Sequence, residues 1–119
     1  MTETGTAIPM DLAVALFEAG ETEAARALTS QIRVYFDNLR AQGLHHPMLD
    51  FQQARMYALE GGTDESLMIL RQILAAGWRF WYLEGDPALK SLRDSLEFQS
   101  IVSDKDTLVQ KERAEVERL

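Results

Sequence analysis

A chain of 119 residues carrying a formal net charge of −7 lacks the basic surface that nucleic acid or an anionic membrane requires. Hydrophobic content of 46% against 26% charged residues is that of one folded domain able to bury roughly two thirds of its unfolded surface, and excludes wholesale disorder. With no cysteine, disulfides, thiolate zinc sites and Cys nucleophiles are excluded, and the compartment stays open between cytoplasm and periplasm for a chain that reads as soluble.

In chain order, residues 1–8 of MTETGTAIPM read as a flexible leader or the edge of a longer protein, without the positive charge and apolar core of a signal peptide. Pro9 suits a first helical turn, and a helix from there places Leu12 or Ala13, Leu16 and Phe17 on one side until Gly20 stops it. A second helix from Thr22 to Gln42 carries Ala25, Leu28, Ile32, Tyr35 or Phe36, and Leu39 at a period near 3.6, and ends at Gly43. The third runs from Pro47 to the Gly61–Gly62 pair with Phe51, Ala54 and Ala58 on a face, His46 preceding or capping it. Thr63 before Asp64 and Glu65 predicts a capped fourth helix that buries Leu67, Leu70 and Leu74 and stops at Gly77. No stretch alternates as a strand would, so the fold class is all-α. No apolar run approaches the roughly 18 residues of a membrane span, so no membrane insertion is expected.

Beyond Gly77 come Trp78, Phe80, Trp81 and Tyr82, then Asp86 capping a short helix that starts with Pro87. Leu89 and Leu92, followed by Phe98 and Ile101, are placed to fold over those rings. Residues 103–119 form a charged helix with a thin seam of Val109, Val116 and Leu119 beside Leu108, too sparse for an autonomous coiled coil but able to pack on the preceding plug or to pair with a second copy.

The chain repeats itself. DLAVALFEAGETEAARALTSQI (11–32) aligns with QQARMYALEGGTDESLMILRQI (52–73) at a constant offset of 41. Ala13 falls on Ala54, Leu16 on Tyr57, Phe17 on Ala58, Gly20 on Gly61, Ala25 on Ser66, Leu28 on Ile69 and Ile32 on Ile73. Small residues recur where antiparallel helices approach, glycine where the chain reverses, and larger apolar residues where units stack.

The pattern A-x-x-Y-A-L-x-G-x-x-x-x-S-x-x-x-L, from Ala54 to Leu70, resembles a tetratricopeptide (TPR) repeat, with Ala13–Ile32 a weaker copy. AAGW followed by DPALKSLRDSLEFQSIV is similar to the segment that closes TPR arrays in multidomain bacterial signalling proteins, among them membrane-anchored winged-helix regulators, nucleotide cyclases and protein kinases. The offset exceeds the usual ~34 residues, which makes the second helix about two turns longer than its role needs and able to protrude. Leu96 stands where such tails often have Pro. The resemblance implies a TPR-like α-α superhelix over 9–102, with repeats at about 9–42 and 47–77 and an aromatic cap at 78–102. It implies a non-catalytic module that binds a partner protein or peptide, or self-associates as a homodimer, with the helices from Pro9 and Pro47 lining a groove.

Candidate chemistry is thin. The aromatic cluster Trp78–Tyr82 suits a plug for the open end of the stack, with a small-molecule sensor pocket as the alternative. Arg26, Arg33 and Arg40, seven apart, suit a solvated face neutralised by Glu23, Asp37 and Asp11, with a dock for a carboxylate-rich partner as the alternative. His45 and His46 lack a third ligand at metal-binding spacing. No Gly-rich phosphate loop, nucleophile elbow or His-Glu-x-x-His run is present, and Asp64/Glu65 and Asp104/Asp106 sit at helix starts or in polar stretches. No catalytic, cofactor-binding or metal-binding residue is therefore assigned.

Overall fold

Four glycines set the architecture. The computed structural model describes residues 10–79 and 83–119. Within them run α1 (Met10–Glu18), α2 (Thr22–Ala41), α3 (Pro47–Leu59), α4 (Thr63–Ala75) and α5 (Leu96–Glu117), with 3₁₀ turns at Leu83–Gly85 and Pro87–Leu92. No strand occurs among the described residues, as expected of an all-α chain. The leader, Pro9, and the rings of Phe80, Trp81 and Tyr82 lie outside the described residues.

α1 and α2 form one helical hairpin and α3 and α4 a second, each joined by three residues. The joints are alike. Gly20 and Gly61, at φ of +82° and +87°, sit just past the helix ends in the left-handed region where a side chain is disfavoured. At the first joint the Gly20 amide donates to Phe17 and the Glu21 amide to Leu16; at the second Gly61 donates to Ala58 and Gly62 to Tyr57. These paired bonds satisfy carbonyls that a helix end leaves open. The same closure ends α2 at Gly43 and α4 at Gly77.

Helix starts are partly as predicted. His46 caps α3, its Nδ1 accepting from the Met48 amide at 3.0 Å. Thr63, however, is the first residue of α4 and not its cap. Gly62 holds the cap position with no side-chain bond, and Asp64 and Glu65 supply the first-turn negative charge.

α3 lies at the centre. It buries Phe51, Gln53, Ala54, Arg55, Met56 and Ala58, positions spread around its whole circumference. On one flank Met56 packs with Met10, Ala13, Ile32 and Phe36 of the first hairpin. On the other, Phe51, Ala54 and Ala58 pack with Leu67, Leu70, Ile73 and Leu74 of α4, and with Leu83, Leu89, Leu92, Phe98 and Ile101. Leu89, Leu92, Phe98 and Ile101 thus cover the second hairpin, burial that stabilises by about 2 kcal/mol for each side chain.

The matched small residues mark the close approaches. Ala13, Ala25, Ala54 and Ser66 are all fully buried, and Ser66 Oγ donates to the Ala54 carbonyl at 2.7 Å. Two expectations need correction. The buried face of α1 is Met10, Ala13 and Val14, while Leu12 is 54% exposed and Leu16 and Phe17 are half-buried. Nor does α2 protrude: Phe36 in its penultimate turn is buried, and Arg40 in its last turn is tied to α3.

Candidate interaction surfaces

The arginines of α2 form a joint between the hairpins. Arg33 pairs with Glu60, whose carboxylate also accepts from the buried Thr29 hydroxyl, and the Arg33 guanidinium lies 5.6 Å from the centre of the Tyr57 ring. Arg40 pairs with Asp50 at 3.1 Å and donates to Gln53. Arg26 is exposed, with no ion pair among the described residues. The neutralising acids are therefore Asp50 of α3 and Glu60 at its C-terminal cap, and Glu23, Asp37 and Asp11 do not serve the stripe. A guanidinium already committed to a neighbouring helix is a poor dock for a partner's carboxylates.

Arg55 is the strongest polar centre, and sequence reasoning passed over it. Its Nε lies 3.1 Å from Asp86, its Nη1 donates to Gln52 at 2.8 Å, and its Nη2 reaches Asp11 at 3.2 Å. The side chains of Arg55 and Asp86 are only 11% and 12% exposed. Asp86 also caps the 3₁₀ helix by accepting from the Ala88 amide at 2.9 Å. One carboxylate thus starts the covering segment and fastens it to α3. A signal for Arg55 existed: it stands 41 positions after Val14, which is buried. Thr29 likewise precedes the buried Leu70 by 41 positions.

Lys105 on α5 is a second buried cation, its Nζ 2.9 Å from Asp106 and 3.3 Å from Glu84. Burial alone lowers an ammonium's pKa, but the hydrogen bond it donates to Asp106 and the charge of Glu84 outweigh it and hold Lys105 above the ordinary lysine value.

His46 and Trp78 meet edge to face, ring centres 5.4 Å apart, and join the start of α3 to the end of α4. Of the four aromatics expected to act together only Trp78 is described. It is half-buried, and the adjoining Arg79 donates to the Leu74 carbonyl and to Glu112. Among the described residues no group of three His, Asp or Glu side chains is arranged to hold a metal, and no helix is long and apolar enough to cross a membrane.

Besides an open groove between α4 and α5, at Arg71, Leu74, Asp104 and Leu108, two more lie among the described residues. Phe17 and Glu18 of α1, Ala58 and Leu59 of α3, and Pro87, Ala88 and Lys90 line the first, which is largely apolar with opposite charges on its rims. Arg79, Glu84, Lys105, Asp106, Val109, Glu112 and Arg113 line the second, along α5. Compared with protein-family models, curated proteins and solved structures, the chain matches none.

Proposed function

We propose that this chain is a non-catalytic interaction module of TPR type, the closing part of an array in a bacterial signalling or regulatory protein, and that it receives an extended segment of a partner protein. The observation that carries this reading is the groove formed by α1, α3 and the Pro87–Leu92 helix. It lies on the first helices of both hairpins, where a TPR array holds its ligand. The repeated glycine joints and the seat of α3 against both α1 and α2 support the same reading. Phe17, Leu59 and Pro87 supply apolar contact, and Glu18 and Lys90 orient a chain bearing complementary charges.

The test is panning of an unstructured peptide library on the full chain, with binding mapped by amide chemical shifts. Bound peptides should perturb Phe17, Leu59 and Ala88, and Phe17→Glu should weaken them by about tenfold or more. Shifts confined to other surfaces, or full affinity in a folded Phe17→Glu variant, would reject the groove.

A further inference from the structure

The distal part of α5 is the most exposed stretch of that helix. Through Ile101 and Lys105 this helix is held against the body, whereas every residue from Gln110 to Leu119 is exposed. Val109, Glu112, Arg113 and Val116 stand at i, i+3, i+4 and i+7 and so share a face. Leu119 extends it, Val116 is 65% exposed, and Val109 lines the groove beside Arg79 and Glu84. Such a face, apolar at both ends and ionic in the middle, is touched by Arg79 at Glu112 and is exposed beyond Val109.

We infer that it is covered by the same face of a second copy, the two helices running antiparallel about an axis between Glu112 and Arg113. In that register Glu112 of each chain faces Arg113 of the other, and Val109 of each faces Val116 of the other. Leu119 of one copy falls beside Asp106 of the other, at the groove mouth. Glu112 keeps its 3.0 Å bond to Arg79 with one carboxylate oxygen and offers the other across the axis. A parallel pair in register sets Glu112 against Glu112 and Arg113 against Arg113, so the charge pattern selects the antiparallel arrangement. A seam of so few turns falls short of a standard interface, so association is reversible and concentration-dependent. This surface is separate from the peptide groove and stands or falls independently of it.

Sedimentation of the full chain over a dilution series tests the pairing. The weight-average mass should rise towards twice that of the monomer as concentration increases. Val116→Glu, at an exposed site, should keep the helical spectrum and abolish the rise. Glu112→Arg and Arg113→Glu should each remain monomeric alone, yet pair when mixed, since the mixture restores both cross-axis contacts. The chain has no native cysteine, so Val116→Cys reports direction. It should not cross-link to itself, while the Val109→Cys, Val116→Cys double variant should. A monomer at all concentrations, an undiminished dimer in Val116→Glu, failure of the mixed variants to pair, or self-cross-linking of Val116→Cys would each overturn the inference.

Discussion

The Arg55 guanidinium holds Asp11 and Asp86, residues 44 and 31 positions away in the chain, to one helix. The two contacts differ in weight because their surroundings differ. Asp11 is 96% exposed and competes with water, whereas the Asp86 pair is nearly sealed. Asp86→Ala should therefore lower unfolding stability by about 3 kcal/mol, because it strands a buried cation and uncaps a helix. Asp86→Asn keeps the cap and should lose about 1 kcal/mol less, while Asp11→Asn should leave the denaturant midpoint almost unmoved. Lys105 responds to pH in the opposite sense from a paired carboxylate. Because its pKa is raised on folding, its contribution is complete below the ordinary lysine value of 10.5 and is lost as pH climbs through the raised one. Denaturant unfolding should thus show a fall in stability above that pH, and Lys105→Met should flatten it.

At the scale of elements, helix ends and hairpin joints were legible because glycine and proline act locally. Gly20, Gly43, Gly61 and Gly77 all stop helices where their spacing said they would. Gly61→Ala meets no atom within 4 Å, so its cost is purely one of backbone conformation, about 1–2 kcal/mol at φ of +87°. Thermal unfolding should show it, and the same substitution at Gly85, whose added carbon also meets open space but whose φ is not in the left-handed region, should be close to neutral. The buried polar residues were not legible from periodicity. Arg55 and Lys105 lie on faces whose neighbours are apolar, and their partners Asp86 and Glu84 are brought to them only by tertiary packing. The Arg33 and Arg40 stripe was visible as a stripe, but its facing acids, Glu60 and Asp50, were not. The rotation of α1 was only half legible: of Leu12 and Ala13 it is Ala13 that packs with Met10 against α2 and α3, and Leu12 is exposed. A helix of nine residues offers too few turns to fix its apolar face by period alone.

Across the whole molecule, α3 divides the interior into unequal halves. Among the described residues, twelve buried ones cluster on the side of α4 and the covering segment, and five on the side of the first hairpin. Local stability should follow that imbalance. Native-state hydrogen exchange is expected to protect α3 and α4 longest, α1 and α2 less, and α5 beyond Gln110 hardly at all in dilute solution. Equal protection of α1 and α4 would contradict the division.

The salt links between successive units give the stack a direction. Arg33 and Arg40 leave the second helix of one hairpin for acids on the first helix of the next, and Arg71 of α4 repeats the gesture towards Asp104 of α5. Along this line the arginine stands on the earlier element and the acid on the later one, whereas Arg55 of α3 reaches back to Asp11 of α1 in the opposite sense. Reversing the charge of Arg33 or Arg40 would therefore set like charges face to face across the joint between the hairpins.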